Sequence, residues 1–66
     1  MDGIIVKWFE ERGYGFIQDE SGRNIFFHYT NCKDSVKIDD EVTFDLYEVG
    51  ENKWIARNVK LNRSSR

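Results

Sequence analysis

Two short segments hold the side chains with most chemical potential: Tyr14-Gly15-Phe16-Ile17 and Ile25-Phe26-Phe27-His28-Tyr29. The chemistry they offer is noncovalent, from flat π faces and one imidazole, with the cations Lys7 and Arg12 close by in sequence. Side chains alternate between the two faces of an extended strand. Tyr14 and Phe16 therefore share one face, with Gly15 and Ile17 on the other. Phe26 and His28 likewise share a face, opposite Ile25 and Phe27. The set Ile17, Ile25 and Phe27 suits an interior, which turns Tyr14, Phe16, Phe26 and His28 outward. A cluster of rings facing water marks a surface that a partner covers. Unpaired nucleobases are the flat partner such a surface fits.

Bond-making chemistry finds no footing. No nucleophile–base pair, no carboxylate pair with an evident role and no phosphate-cradling loop is recognisable, so the chain reads as a binder and not an enzyme. His28 and Cys32 lack the companions of a four-ligand metal site. Cys32 reads as a small buried residue under a loop. Nothing points to a cofactor or a small-molecule substrate.

Sixty-six residues make one domain, expected over residues 1–61, with a short basic tail at 62–66. A single cysteine cannot form an internal disulfide, which points to an intracellular, cytoplasmic setting. No apolar run approaches membrane-spanning length, and the amino end lacks a secretion signal. The charge balance is 10 basic against 12 acidic residues, net −2. Duplex binding draws heavily on phosphate neutralisation by Lys and Arg, so this balance argues against strong duplex binding and leaves single strands open. The acids also bunch away from the rings, at Asp39-Asp40-Glu41 and at Asp45, Glu48 and Glu51.

The elements that position the rings read as five strands separated by turn signals. They cover Ile4 to Phe9, Tyr14 to Gln18, Asn24 to Tyr29, Val42 to Tyr47, and Trp54 to about Leu61. A polar stretch from Thr30 to Asp40 carries one helical turn near its start. Five short strands cannot make two packed sheets, whereas one sheet curled into a barrel fills its own interior and removes most edges. The predicted interior is Val6, Ile17, Ile25, Phe27, Val42, Phe44, Leu46, Ala56 and Val59. Ala56 and Val59 are one residue out of phase, which predicts a bulge in the last strand.

In this order the motifs resemble the cold-shock domain. Its opening Val-Lys-Trp-Phe stands here as Val6-Lys7-Trp8-Phe9, its first ribonucleoprotein motif as Arg12-Gly13-Tyr14-Gly15-Phe16-Ile17, and its second as Ile25-Phe26-Phe27-His28-Tyr29. Val42-Thr43-Phe44 and Ala56-Arg57-Asn58-Val59 are similar to its last two strands. The resemblance spans Ile4 to Leu61 and implies an all-β fold, a five-stranded antiparallel oligonucleotide-binding (OB-fold) barrel. It further implies binding of single-stranded RNA and DNA with little sequence preference by base stacking. The implied platform is Trp8, Tyr14, Phe16, Phe26 and His28, with Tyr29 at its margin and Lys7 and Arg12 on phosphates or base edges. Roles as an RNA chaperone and in transcription or translation are implied in the same way.

The chain departs from the family pattern in several places. The connection from His28 to Val36 is about four residues shorter than the family's and has lost its usual aromatic, which implies one stacking subsite fewer. Trp54 is new to the pattern, either packing on the barrel end or extending the platform, and Arg57 is equally open between solvent and phosphate. An RNA-recognition domain would need two helices and the two motifs in reverse order. A barrel that takes a proline-rich peptide on the same rings is the rival of another class. A monomer is expected, with a strand-exchanged dimer left open.

Overall fold

Apolar residues two apart, punctuated by glycine- and aspartate-containing turns, favour short strands over helices. The computed structural model describes residues 1–62 and contains five strands: β1 (Asp2–Phe9), β2 (Tyr14–Asp19), β3 (Asn24–His28), β4 (Glu41–Gly50) and β5 (Lys53–Leu61). One 3-10 turn, Tyr29–Asn31, follows β3, so that strand ends one residue before the predicted boundary. The strands close into a barrel in the order β1-β2-β3-β5-β4. Four ladders are antiparallel; the contact that closes the barrel, β3 on β5, is parallel and sets Phe26 opposite Ile55.

The interior holds Ile5, Ile17, Ile25, Phe27, Val42, Phe44, Ala56 and Val59. Two predicted members differ. Val6 is 36% exposed and Ile5 replaces it inside. The reason is a bulge: Ile5 pairs with Ile17 but Lys7 pairs with Phe16, so Val6 is the extra residue and the alternation slips by one. The loop before β4 serves the bulge, since Asp39 donates its N–H to the Ile5 carbonyl and the Ile5 N–H donates to the Asp40 carbonyl. Leu46 is only partly buried and packs against the core from its edge.

The bulge predicted in β5 is present. Asp45 pairs with Arg57 but Thr43 pairs with Lys60, which leaves Asn58 as the extra residue. Asn58 adopts φ +55°, a left-handed conformation that asparagine tolerates better than most residues. Its side-chain amide is fixed by donating to Asp45 Oδ2 at 2.8 Å. Ala56 and Val59 consequently both point inward.

The predicted basic tail falls, from Arg63 onward, outside the described residues. Asn62 is tied to the barrel through its N–H on the Glu41 carbonyl. No helix among the described residues is long and apolar enough to cross a membrane.

Candidate nucleic-acid interface

Residues directly paired across antiparallel strands point to the same face. The ladders therefore lay the outward side chains in rows. One row runs Lys7, Phe16, Phe26 and continues across the parallel contact to Ile55 and Tyr47. A neighbouring row runs Phe9, Tyr14, His28. Between them lies the inward row Trp8, Gly15, Phe27.

The two outward rows bring four rings into mutual contact. Tyr14 lies 5.1 Å from Phe9, 6.2 Å from Phe16 and 5.5 Å from Phe26, and Phe16 lies 5.9 Å from Phe26. None of the four is fully buried, and Phe9 is 40% exposed. His28 and Tyr29 form a second pair, their ring centroids 4.8 Å apart. His28 also caps the 3-10 turn, its Nδ1 accepting from the Thr30 N–H and meeting the Thr30 hydroxyl at 2.9 Å. That leaves Nε2 as the free polar atom of the ring.

Two glycines make this surface possible. A Cβ on Gly15 would strike the Lys7 carbonyl oxygen and come within 2.9 Å of the Trp8 ring and 3.1 Å of Phe27. Gly13 sits at φ +77°, and its carbonyl accepts the Tyr29 N–H at 2.8 Å, drawing the end of β3 beside the β1–β2 turn. A Cβ there would meet the Tyr29 ring at 2.7 Å.

Of the residues singled out from sequence, Tyr14, Phe16, Phe26 and His28 stand on the outward rows, with Tyr29 beside His28. Lys7 is brought to Phe16, and the two line a shallow groove with Val6 and Asn24. Arg12 is exposed on the turn between Phe9 and Tyr14, with the acids Glu10 and Glu11 next to it. Trp8 is placed differently. It belongs to the inward row, its ring stacked on buried Phe27 at 5.5 Å and 7°. Its open edge borders a separate groove with Tyr29, Cys32, Val36 and Lys37.

Trp54 packs at the barrel end and also reaches the outward rings, walling a groove with Phe16, Phe26, Asn24 and Lys53. The Arg23 guanidinium lies 4.6 Å over its ring. Arg57 is exposed and lies 5.0 Å over Tyr47. Phe9, Ile55 and Tyr47 were not singled out. Continuing the alternation outward from Lys7 would have found Phe9, but Ile55 and Tyr47 join the face only through the parallel β3–β5 contact, for which the sequence carries no local signal.

Charge reinforces the layout. The ion pairs among the described residues are Arg23 with Asp19 and Lys37 with Asp40, so Lys7, Arg12 and Arg57 have no carboxylate partner. Asp19 is 6% exposed and holds the β2–β3 turn, accepting from the N–H groups of Ser21 and Arg23 and from Arg23 Nε. Burial works against its charge, but these hydrogen bonds and the Arg23 cation outweigh it and hold the carboxyl below its ordinary pKa. Burial pushes the Cys32 thiol up, and its sulfur donates to the Asp34 carbonyl. No group of three or more His, Cys, Asp or Glu side chains among the described residues is arranged to hold a metal ion.

Comparison with known proteins agrees with this geometry. The family model described as the "'Cold-shock' DNA-binding domain" matches residues 1–62. Cold shock protein CspB of Geobacillus stearothermophilus is 38% identical over 61 residues, covering 85% of this chain and 92% of the relative. Cold shock protein CspC of Bacillus subtilis is 42% identical over 65 residues, covering 91% and 97%. Among solved structures, Drosophila Unr CSD456 superimposes with a TM-score of 0.72 at 26% identity over 97% of this chain, which spans 27% of that longer one. The chain thus belongs to the cold-shock domain family, whose domains bind nucleic acid.

Proposed function

We propose that this protein binds single-stranded RNA and DNA by stacking bases on Phe16, Phe26, Tyr14 and His28, with Phe9, Tyr29 and the edge of Trp8 at the margins. Lys7 and Arg12 supply phosphate contacts. The observation that carries this reading is the contiguous patch of Phe9, Tyr14, Phe16 and Phe26, edged by unpaired Lys7. Each stacked base contributes about 1–3 kcal/mol whatever its identity, because every base has a π face. Three or four such contacts, less the cost of ordering the strand, give roughly micromolar to nanomolar affinity with little sequence preference.

A binder of this kind captures strands when hairpins open and slows their re-pairing, which is the physical content of an RNA chaperone. Effects on transcription or translation follow from the same capture. The acting unit is the domain over residues 1–61, working as a cytoplasmic monomer, with Trp54 and Arg57 as further contacts. Its role is binding and not catalysis, and it calls for no cofactor, membrane or small-molecule substrate.

The test is a titration of matched RNA and DNA oligomers, single- and double-stranded, followed by tryptophan fluorescence, with a proline-rich peptide in parallel. Both single strands should bind and both duplexes should bind much more weakly. Saturation by the peptide without response to either single strand would replace this reading with a peptide-binding one.

A further inference from the structure

The outward row does not stop at Phe26. Across the parallel contact Phe26 is opposite Ile55, and Ile55 is opposite Tyr47 on β4. Tyr47 is 44% exposed and carries the Arg57 guanidinium over its ring at 5.0 Å. Among the described residues Arg57 takes part in no ion pair. Its cross-strand neighbour Asp45 has Oδ2 occupied by the Asn58 amide. An exposed ring and a positioned cation thus stand in line with Phe16 and Phe26, on strands outside the two ribonucleoprotein motifs.

Resting on the single-strand reading above, we infer that Tyr47 and Arg57 form an additional nucleotide subsite, in which a base packs on the Tyr47–Arg57 stack and Arg57 neutralises its phosphate. Neighbouring strands are about 4.8 Å apart, so the two strand steps from Phe26 to Tyr47 cover about 10 Å, with aliphatic Ile55 bridging the gap. That distance extends the stacking track by about one or two bases beyond Phe26. Arginine planes and tyrosine rings are both surfaces on which unpaired bases stack. Continuity of the row with the Phe16 and Phe26 rings selects a nucleic-acid strand over an apolar peptide as the occupant.

The experiment measures affinity against length for oligothymidylates of about three to nine nucleotides, a range that brackets a small OB-fold footprint. It compares the wild-type chain with Tyr47→Ala, Tyr47→Phe and Arg57→Gln, each checked by circular dichroism. In the wild type, affinity should go on rising with length after the central rings are covered. Tyr47→Ala should bind the shortest oligomers as the wild type does, plateau about one or two nucleotides earlier, and lose about fivefold or more on the longest. Tyr47→Phe, which keeps the ring, should follow the wild type. Arg57→Gln should lower the salt slope by about 0.7 for long oligomers only. Superimposable length curves for the wild type and Tyr47→Ala would overturn the subsite, as would an equal loss at every length. A wild-type protein that binds no oligomer would overturn the single-strand reading itself, a distinct result.

Discussion

Phe26 and Phe27 are neighbours in sequence with the same side chain, and the barrel turns them to opposite faces. Phe26 lies at the centre of the outward patch, touching Tyr14 and Phe16 and partly open to solvent. Phe27 is fully buried and carries Trp8 stacked on its ring. Truncating Phe26 to alanine opens no enclosed cavity, so its folding cost is part of a burial term of about 1.5–3 kcal/mol plus weakened ring contacts, altogether about 1–2 kcal/mol. For a domain this small that lowers Tm by roughly 5–15 °C. In binding it removes one stacking surface, about 1–3 kcal/mol, so affinity should fall about tenfold or more. Phe27→Ala instead leaves a hole inside the barrel and costs about 3–5 kcal/mol, comparable to the whole stability expected of so short a chain. The assay pairs thermal melts with oligothymidylate titrations at low temperature, where Phe26→Ala remains folded. Wild-type affinity in Phe26→Ala would refute the stacking role. A Phe27→Ala protein that melts as Phe26→Ala does would refute the placement of the core.

Lys7→Ala should weaken oligonucleotide binding less than Phe26→Ala and reduce the magnitude of the salt slope by about 0.7; an unchanged slope would remove Lys7 from the phosphate contacts. With about two to four phosphates engaged, the wild-type slope itself should be roughly −1.5 to −3. Asp19→Asn should destabilise the fold by about 1–3 kcal/mol, because it discharges the carboxylate that gathers the β2–β3 turn. Because the folded-state pKa of Asp19 is lowered, its contribution is present above the ordinary carboxylate pKa and is lost as pH falls toward the folded value. The stability gap between wild type and Asp19→Asn should therefore narrow in acid, and a gap independent of pH would contradict the assignment. Gly15→Ala should destabilise by about 1–3 kcal/mol or more, since the added methyl meets the Lys7 carbonyl, which cannot move without parting β1 from β2; an unchanged melt would contradict that packing.

The barrel and most of its face were legible because period-two alternation is undisturbed where it mattered. From Tyr14 to Ile17 and from Ile25 to His28 no residue is inserted, so Ile17, Ile25 and Phe27 go in and Tyr14, Phe16, Phe26 and His28 go out as expected. The β5 bulge was also readable, because two small apolar residues three apart cannot both face inward on a regular strand. The β1 bulge was not. Ile4, Ile5 and Val6 are equally apolar, and what selects Ile5 is the Asp39–Asp40 loop bonding to its backbone, a contact between distant parts of the chain. Beyond the bulge the alternation is regular, so Lys7 and Phe9 face outward and Trp8 inward; the expectation that places Trp8 on the platform comes from the family resemblance and not from the alternation. The Arg23–Trp54 and Arg57–Tyr47 stacks depend on how the hairpins meet in space, which no local pattern records.

If a single strand lies across the rings of β2 and β3, those rings must change environment when it binds. Aromatic carbon–proton NMR spectra recorded while an oligothymidylate is titrated to saturation test it most directly. The largest shifts are expected at Tyr14, Phe16, Phe26 and His28, with little change at the acid-lined groove of Asp2, Glu20 and Glu41. Ring signals that stay still at saturation, or shifts gathered at that acidic groove, would contradict it.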